Sequence, residues 1–293
     1  MVRECVLVVF KHIEKTAGTT LVHWFHELAW RGELTYHSRW FHLPGQCATC
    51  RTATWSPECR CDFAWQRSYV LEQFEQHALR SASRWSHWMF LNDSTPRPWR
   101  AVLEVHAHDA DLPDVLHRAA KLRGGGCSVH ATTVWRHPVA HWRSRYSYYV
   151  YNGWMHLQKG DPVPPLREWV SENPNDQTHD LLRGALRQLD QRIRHNDTLL
   201  HQKAMRTLRH FDLFYPIERV EELSFALCHA LGIGHASCPR TGFANAATRP
   251  TPDPQRVGLP SPGEWEDLMR QYGAVDERLY WHAEALAKRR SRL

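Results

Sequence analysis

The stretch Cys5–Trp24, CVLVVFKHIEKTAGTTLVHW, constrains the fold more than any other. Its mostly β-branched apolar run, Cys5 to Phe10, reads as a strand covered on both faces, as in a parallel sheet. A helix is expected from Gly18 to Trp30, with Leu21, Phe25 and Leu28 on one face and Gly32 ending it. Between them lies Lys15-Thr16-Ala17-Gly18-Thr19-Thr20. Small residues let a backbone close around an anion, amides at a helix start point at it, and a lysine adds a full charge. The loop is therefore expected to bind phosphate. It is not the ATPase form, because the Gly-Lys-[Ser/Thr] that closes a G-x-x-x-x-G spacing is absent and the lysine precedes the glycine.

Strands and helices alternate along the rest of the chain. Trp99–Val105 reads as a strand running into His106-Ala107-His108-Asp109, and Leu112–Leu122 as a helix stopping at Gly124-Gly125-Gly126. Ser128–Trp135 is a third strand ending at Arg136-His137-Pro138, and Pro138 suits the first turn of the helix that runs to Tyr149. Pro162, Pro164 and Pro165 mark a loop; amphipathic stretches follow at Gln177–Leu189 and Leu199–Leu208. Phe211–Tyr215 is a fourth strand, and Glu218–Leu231 its helix, closed by Gly232. Further helices are expected at Ser68–Arg80, Glu264–Gln271 and Asp276–Arg289, and a polar loop at Gly242–Pro262. Residues 36–62 read as an irregular, cysteine-rich insertion over the site. The alternation implies an α/β fold: a three-layer, P-loop-like arrangement with a mainly parallel central sheet flanked by helices, in a single domain over residues 1–293.

A net charge of +6 suits an anionic ligand but is modest, and no nucleic-acid partner is expected. No apolar run approaches a membrane span and no signal-peptide pattern opens the chain, so it reads as soluble. The compartment stays open between the Golgi lumen, if an anchor precedes the chain, and the cytoplasm. Cys47, Cys50, Cys59 and Cys61 are close enough for a structural zinc, two disulfides or free thiols. Cys228 and Cys238 flank a helix end within bridging reach, whereas Cys5 and Cys127 read as buried thiols.

Ligands of parallel sheets bind beyond the carboxyl ends of strands. Lys15, the His106/His108 pair and Arg136 all follow expected strands, which argues for one site. A guanidinium grips phosphate with two parallel hydrogen bonds. Ser144, two turns into the next helix, would add a third if the backbone curls round the anion. Two anion sites are thus implied, fitting a nucleoside with phosphates at both ends.

His12-Ile13-Glu14-Lys15-Thr16-Ala17-Gly18-Thr19-Thr20 resembles the 5′-phosphosulfate loop of sulfotransferases that use 3′-phosphoadenylyl sulfate, PAPS, in the form found in heparan sulfate 2-O/6-O-sulfotransferases. Thr132 to Val139 with Ser144 and Tyr146 resembles that family's 3′-phosphate motif. Phe211 to Arg219, Phe243 to Arg249 and Asp276 to Tyr280 resemble later family segments in family order. Glu14 stands where the family usually has Pro, and His137 where it has Asp or Asn.

The resemblance implies a PAPS-dependent enzyme that needs no metal and sulfates a hydroxylated acceptor, a glycan or a small metabolite. Lys15, Thr16, Ala17, Gly18, Thr19, Thr20, Arg136, Ser144, Thr248 and Arg249 would hold the nucleotide. Lys15 would also meet the leaving phosphate's charge. His106 and His108 are the expected bases, with Glu104 or Asp109 orienting an imidazole. His12 is the weaker base candidate. Tyr146, Tyr148, Tyr149, Tyr151 and Trp154 form either an acceptor wall or core, and Asn175–Leu182 resembles a segment near the acceptor. The rivals are a nucleoside-phosphate kinase, which lacks here its Gly-Lys-[Ser/Thr] and a strand-end Asp for Mg²⁺, and a non-catalytic glycan- or nucleotide-binding module. Oligomeric state is left open.

Overall fold

The computed structural model describes residues 5–37, 71–72, 99–106, 112–124, 127–148, 164–186, 196–240 and 261–290. Its centre is a five-stranded sheet in which every pairing is parallel: β1 (Cys5–His12), β2 (Thr35–His37), β3 (Trp99–His106), β4 (Ser128–Trp135) and β5 (Leu213–Pro216). The spatial order is β2-β3-β1-β4-β5, so β1 lies in the middle. Parallel neighbours need crossovers, and helices make them on both faces.

Alternation along β1 builds both faces of the core. Leu7 and Val9 face a layer that includes α2 (Leu112–Gly124), α5 (Asp176–Leu186), α6 (Asp197–Leu208) and α9 (Ala274–Arg290). Val6, Val8 and Phe10 face α1 (Gly18–Trp30) and α7 (Val220–Ala230). A smaller apolar cluster joins α3 (Pro138–Tyr146), α4 (Leu166–Glu172) and α8 (Pro262–Tyr272). The three-layer α/β architecture expected from the sequence is thus the one found. No described helix is long and apolar enough to cross a membrane.

Helix ends follow local chemistry. α1 and α7 stop where Gly32 and Gly232 take positive φ, 69° and 65°, because a left-handed turn is cheap only without a Cβ. α8 starts in a capping box between Ser261 and Glu264.

Several expectations need correction. Cys5 and Cys127 are bonded to each other, not buried thiols. The β1–β4 register places Val6 beside Ser128, so the residues before them stand side by side, with Cα atoms 5.0 Å apart. The Cys228–Cys238 bridge forms as expected. β2 occupies residues 35–37, where irregular chain was expected from residue 36, and α4 was not anticipated behind the prolines. The fourth strand begins at Leu213, later than expected, because the Phe211 amide still bonds back to Leu208 in a turn. Only residues 71–72 of the expected Ser68–Arg80 helix are described, and they are helical. The cysteines at 47, 50, 59 and 61 lie outside the described residues.

Candidate functional site

The loop after β1 turns tightly: Lys15 and Ala17 take positive φ, 61° and 64°, an uncommon conformation for residues with a Cβ. Ala17 is the N-cap of α1, which has no side-chain cap and no acidic residue in its first turn. Its first amides therefore present partial positive charge without a carboxylate to meet it. Thr16 braces the loop by donating to the Ile13 carbonyl at 2.8 Å. Gly18, Thr19 and Thr20 form the first turn of α1.

Arg136 follows the last residue of β4, and its Nη1 donates to the Lys15 carbonyl at 3.3 Å. The two strand ends expected to carry the anion sites are therefore in contact. The Lys15 ammonium lies 3.9 Å from the centre of the Tyr148 ring, a cation–π contact that directs the side chain towards the end of α3. Burial lowers the proton affinity of the Arg136 guanidinium, with Glu218 acting the other way. A partly desolvated guanidinium is well suited to an anion.

One face of α3 turns to the loop. His141 donates from Nε2 to the Glu14 carbonyl at 2.8 Å, and Arg145 Nη2 lies 3.8 Å from the Glu14 carboxylate. Ser144 is three residues from His141 and Tyr148 seven, so helical spacing sets Ser144 on that same side. Arg145 also bonds Asp176 at 2.5 Å and Asp180 at 3.1 Å. This buried group raises the Asp176 pKa to about 8, chiefly through desolvation, with Arg145 opposing and Asp180 adding to it. Glu14 is thus an anchor between loop and helix.

His106 ends β3, buried at 5% exposure. It pairs in register with His12, and the two rings meet edge to face at 4.8 Å. Glu104, two residues earlier on the same face, reaches His12 Nδ1 at 2.5 Å and accepts from the Tyr36 hydroxyl at 2.9 Å. Glu104 therefore orients His12, and His108 of the expected pair lies outside the described residues. The His12 ring closes against the loop: a Cβ on Gly18 would lie 1.7 Å from His12 Nε2. Gly18 is thus required by His12. This Tyr36–Glu104–His12 chain was missed in the sequence, where the only signal was the i, i+2 spacing of Glu104 and His106.

Of the segment Asn175–Leu182, expected near the acceptor, Asn175–Thr178 turns inward and is buried. Tyr146 is core, packed on Trp169 with its hydroxyl on the Pro164 carbonyl. His108, Asp109, Thr248, Arg249, Tyr149, Tyr151 and Trp154 lie outside the described residues. Among the described residues no group of three or more His, Cys, Asp or Glu is placed to hold a metal ion. No family model matches the chain, and no curated protein does.

Proposed function

We propose that the chain is a sulfotransferase that uses PAPS as donor and a hydroxyl, that of a carbohydrate, as acceptor. The observation that supports it most is the Arg136–Lys15 contact. It sets a guanidinium and an uncapped helix start beside each other at the carboxyl ends of adjacent parallel strands, where ligands of such sheets bind. Two cationic sites that close suit one nucleotide phosphorylated at both ends.

When bound, the donor supplies a sulfuryl group on a 5′-phosphate that carries added negative charge once that group has left. Lys15 and the first amides of α1 await that charge, already oriented by the loop. Arg136 and Ser144 hold the 3′-phosphate, and Thr248 and Arg249 are assigned to the nucleotide by the sequence resemblance alone. His106 or His108 takes the acceptor hydroxyl's proton at a ring nitrogen. His12, fixed by Glu104, packs against His106 and holds its ring in place.

The test is to incubate the protein with PAPS and a panel of glycans and small hydroxylated compounds, with a chelator present. Acceptor-dependent release of adenosine 3′,5′-bisphosphate is expected, fastest with a glycan. No release with any acceptor, from protein shown to be folded, contradicts the proposal. Release with small compounds alone overturns the carbohydrate assignment.

A further inference from the structure

Gln177 is fully buried at 0% exposure, and both ends of its amide serve the backbone of Arg136. Its Oε1 accepts from the Arg136 amide at 2.8 Å and its Nε2 donates to the Arg136 carbonyl at 2.8 Å. Arg136 needs this support because the sheet has ended: the ladder to β1 stops at Thr133 and that to β5 at Trp135. Gln177 replaces the missing strand neighbour.

The turn that carries Gln177 is itself fixed. Asp276 accepts from the amides of Gln177 and Thr178 at 3.0 and 2.9 Å, and from the Thr178 hydroxyl at 2.5 Å. In return, Asn175 Oδ1 accepts from the amides of Val275 and Asp276 at 2.9 and 3.3 Å. The neighbouring Asp176 holds Arg145, next in sequence to Ser144. One turn of α5 thus braces both members of the second anion site, one through its backbone and one through its helix.

We propose that Gln177 is a positioning residue that gives the site its selectivity for a nucleotide with a 3′-phosphate over one without it. The inference rests on the nucleotide reading above. A guanidinium on a fixed backbone loses less freedom on gripping phosphate than one on a loose chain. The hydrogen bonds of Gln177 go to Arg136 and Asp276, so its loss acts first on the 3′ side of the ligand.

The experiment compares adenosine 3′,5′-bisphosphate with adenosine 5′-phosphate by calorimetric titration of the full chain, wild type and Gln177→Met. The methionine keeps the volume and removes both hydrogen bonds. The wild type should prefer the bisphosphate. The variant should bind it up to about tenfold more weakly, the cost of ordering one loosened side chain on binding, while 5′-phosphate affinity stays within about twofold. If Gln177→Met does not fold, Gln177→Glu keeps the acceptor for the Arg136 amide, loses the donor at neutral pH and should shift the same ratio. An unchanged ratio, or equal loss of both nucleotides, overturns the inference and leaves the nucleotide reading standing. A wild type that does not prefer the bisphosphate sinks both.

Discussion

The Arg136 guanidinium donates to the Lys15 carbonyl across 3.3 Å, joining residues 121 apart in sequence. The contact fixes the relation between the two strand ends, because Lys15 sits on the loop that enters α1 and Arg136 on the turn that enters α3. A ligand that bridges them reads both helices at once. The first consequences concern the loop.

Lys15→Ala removes the only full charge of the loop's own Lys15–Thr20 stretch. Turnover with PAPS should fall by about a hundred- to a thousandfold, the usual cost of losing one preorganised group facing developing charge. Single-turnover kinetics measure it, and the unfolding midpoint should change little because Lys15 is half-buried. An unaltered rate would remove Lys15 from the chemistry.

Gly18→Ala drives a Cβ into His12. It should cost about 1–3 kcal/mol, the range for overpacking. Less of that cost should appear in a His12→Ala background, since the clashing ring is gone. Denaturant unfolding of the four proteins in the cycle tests this. Strict additivity would mean that the glycine is needed for another reason.

His141 supplies a pH dependence with a definite sign. Desolvation, then Arg145, lowers its pKa from 6.5 to about 3. Arg136 adds to the lowering; the Glu14 carbonyl and carboxylate oppose it, and Asp176 lies 3.8 Å from Nδ1. The folded state thus keeps the ring neutral while the unfolded chain takes a proton below pH 6.5. Stability is retained above 6.5 and lost as pH falls through that window towards 3. His141→Gln should flatten the loss by up to about 1.4 kcal/mol per pH unit. Unfolding free energies at pH 6.5, 5.5 and 4.5 report it. Parallel curves for the two proteins would contradict the assignment.

The Cys5–Cys127 bridge spans 122 residues of chain. Closing so long a loop restricts the unfolded chain, and replacing both cysteines by Ala should cost about 2–5 kcal/mol. The midpoint of denaturant unfolding in oxidised samples checks this, and an unchanged midpoint would mean that the bridge carries no stability.

The parts legible in the sequence were those decided locally. β1 and β4 showed as β-branched runs, α1 by its apolar face, and the tight turn between β1 and α1 by its small residues. Thr35–His37 was too short to show a pattern, and the prolines before Leu166 masked α4. What stayed hidden depends on strand order. Cys5 meets Cys127 only once β1 and β4 are neighbours, and His12 meets Glu104 only across the β1–β3 ladder. Gln177 was readable as part of an amphipathic helix, but its role depends on a partner 41 residues away.

The most direct measurement is a matrix of dissociation constants: wild type, Lys15→Ala and Arg136→Ala, each against adenosine 3′,5′-bisphosphate, 5′-phosphate and 3′-phosphate. The account predicts a crossed pattern. Lys15→Ala weakens the ligands that carry a 5′-phosphate, and Arg136→Ala weakens those that carry a 3′-phosphate. Equal penalties for all three ligands, or none in either variant, would contradict a single nucleotide held between the two strand ends.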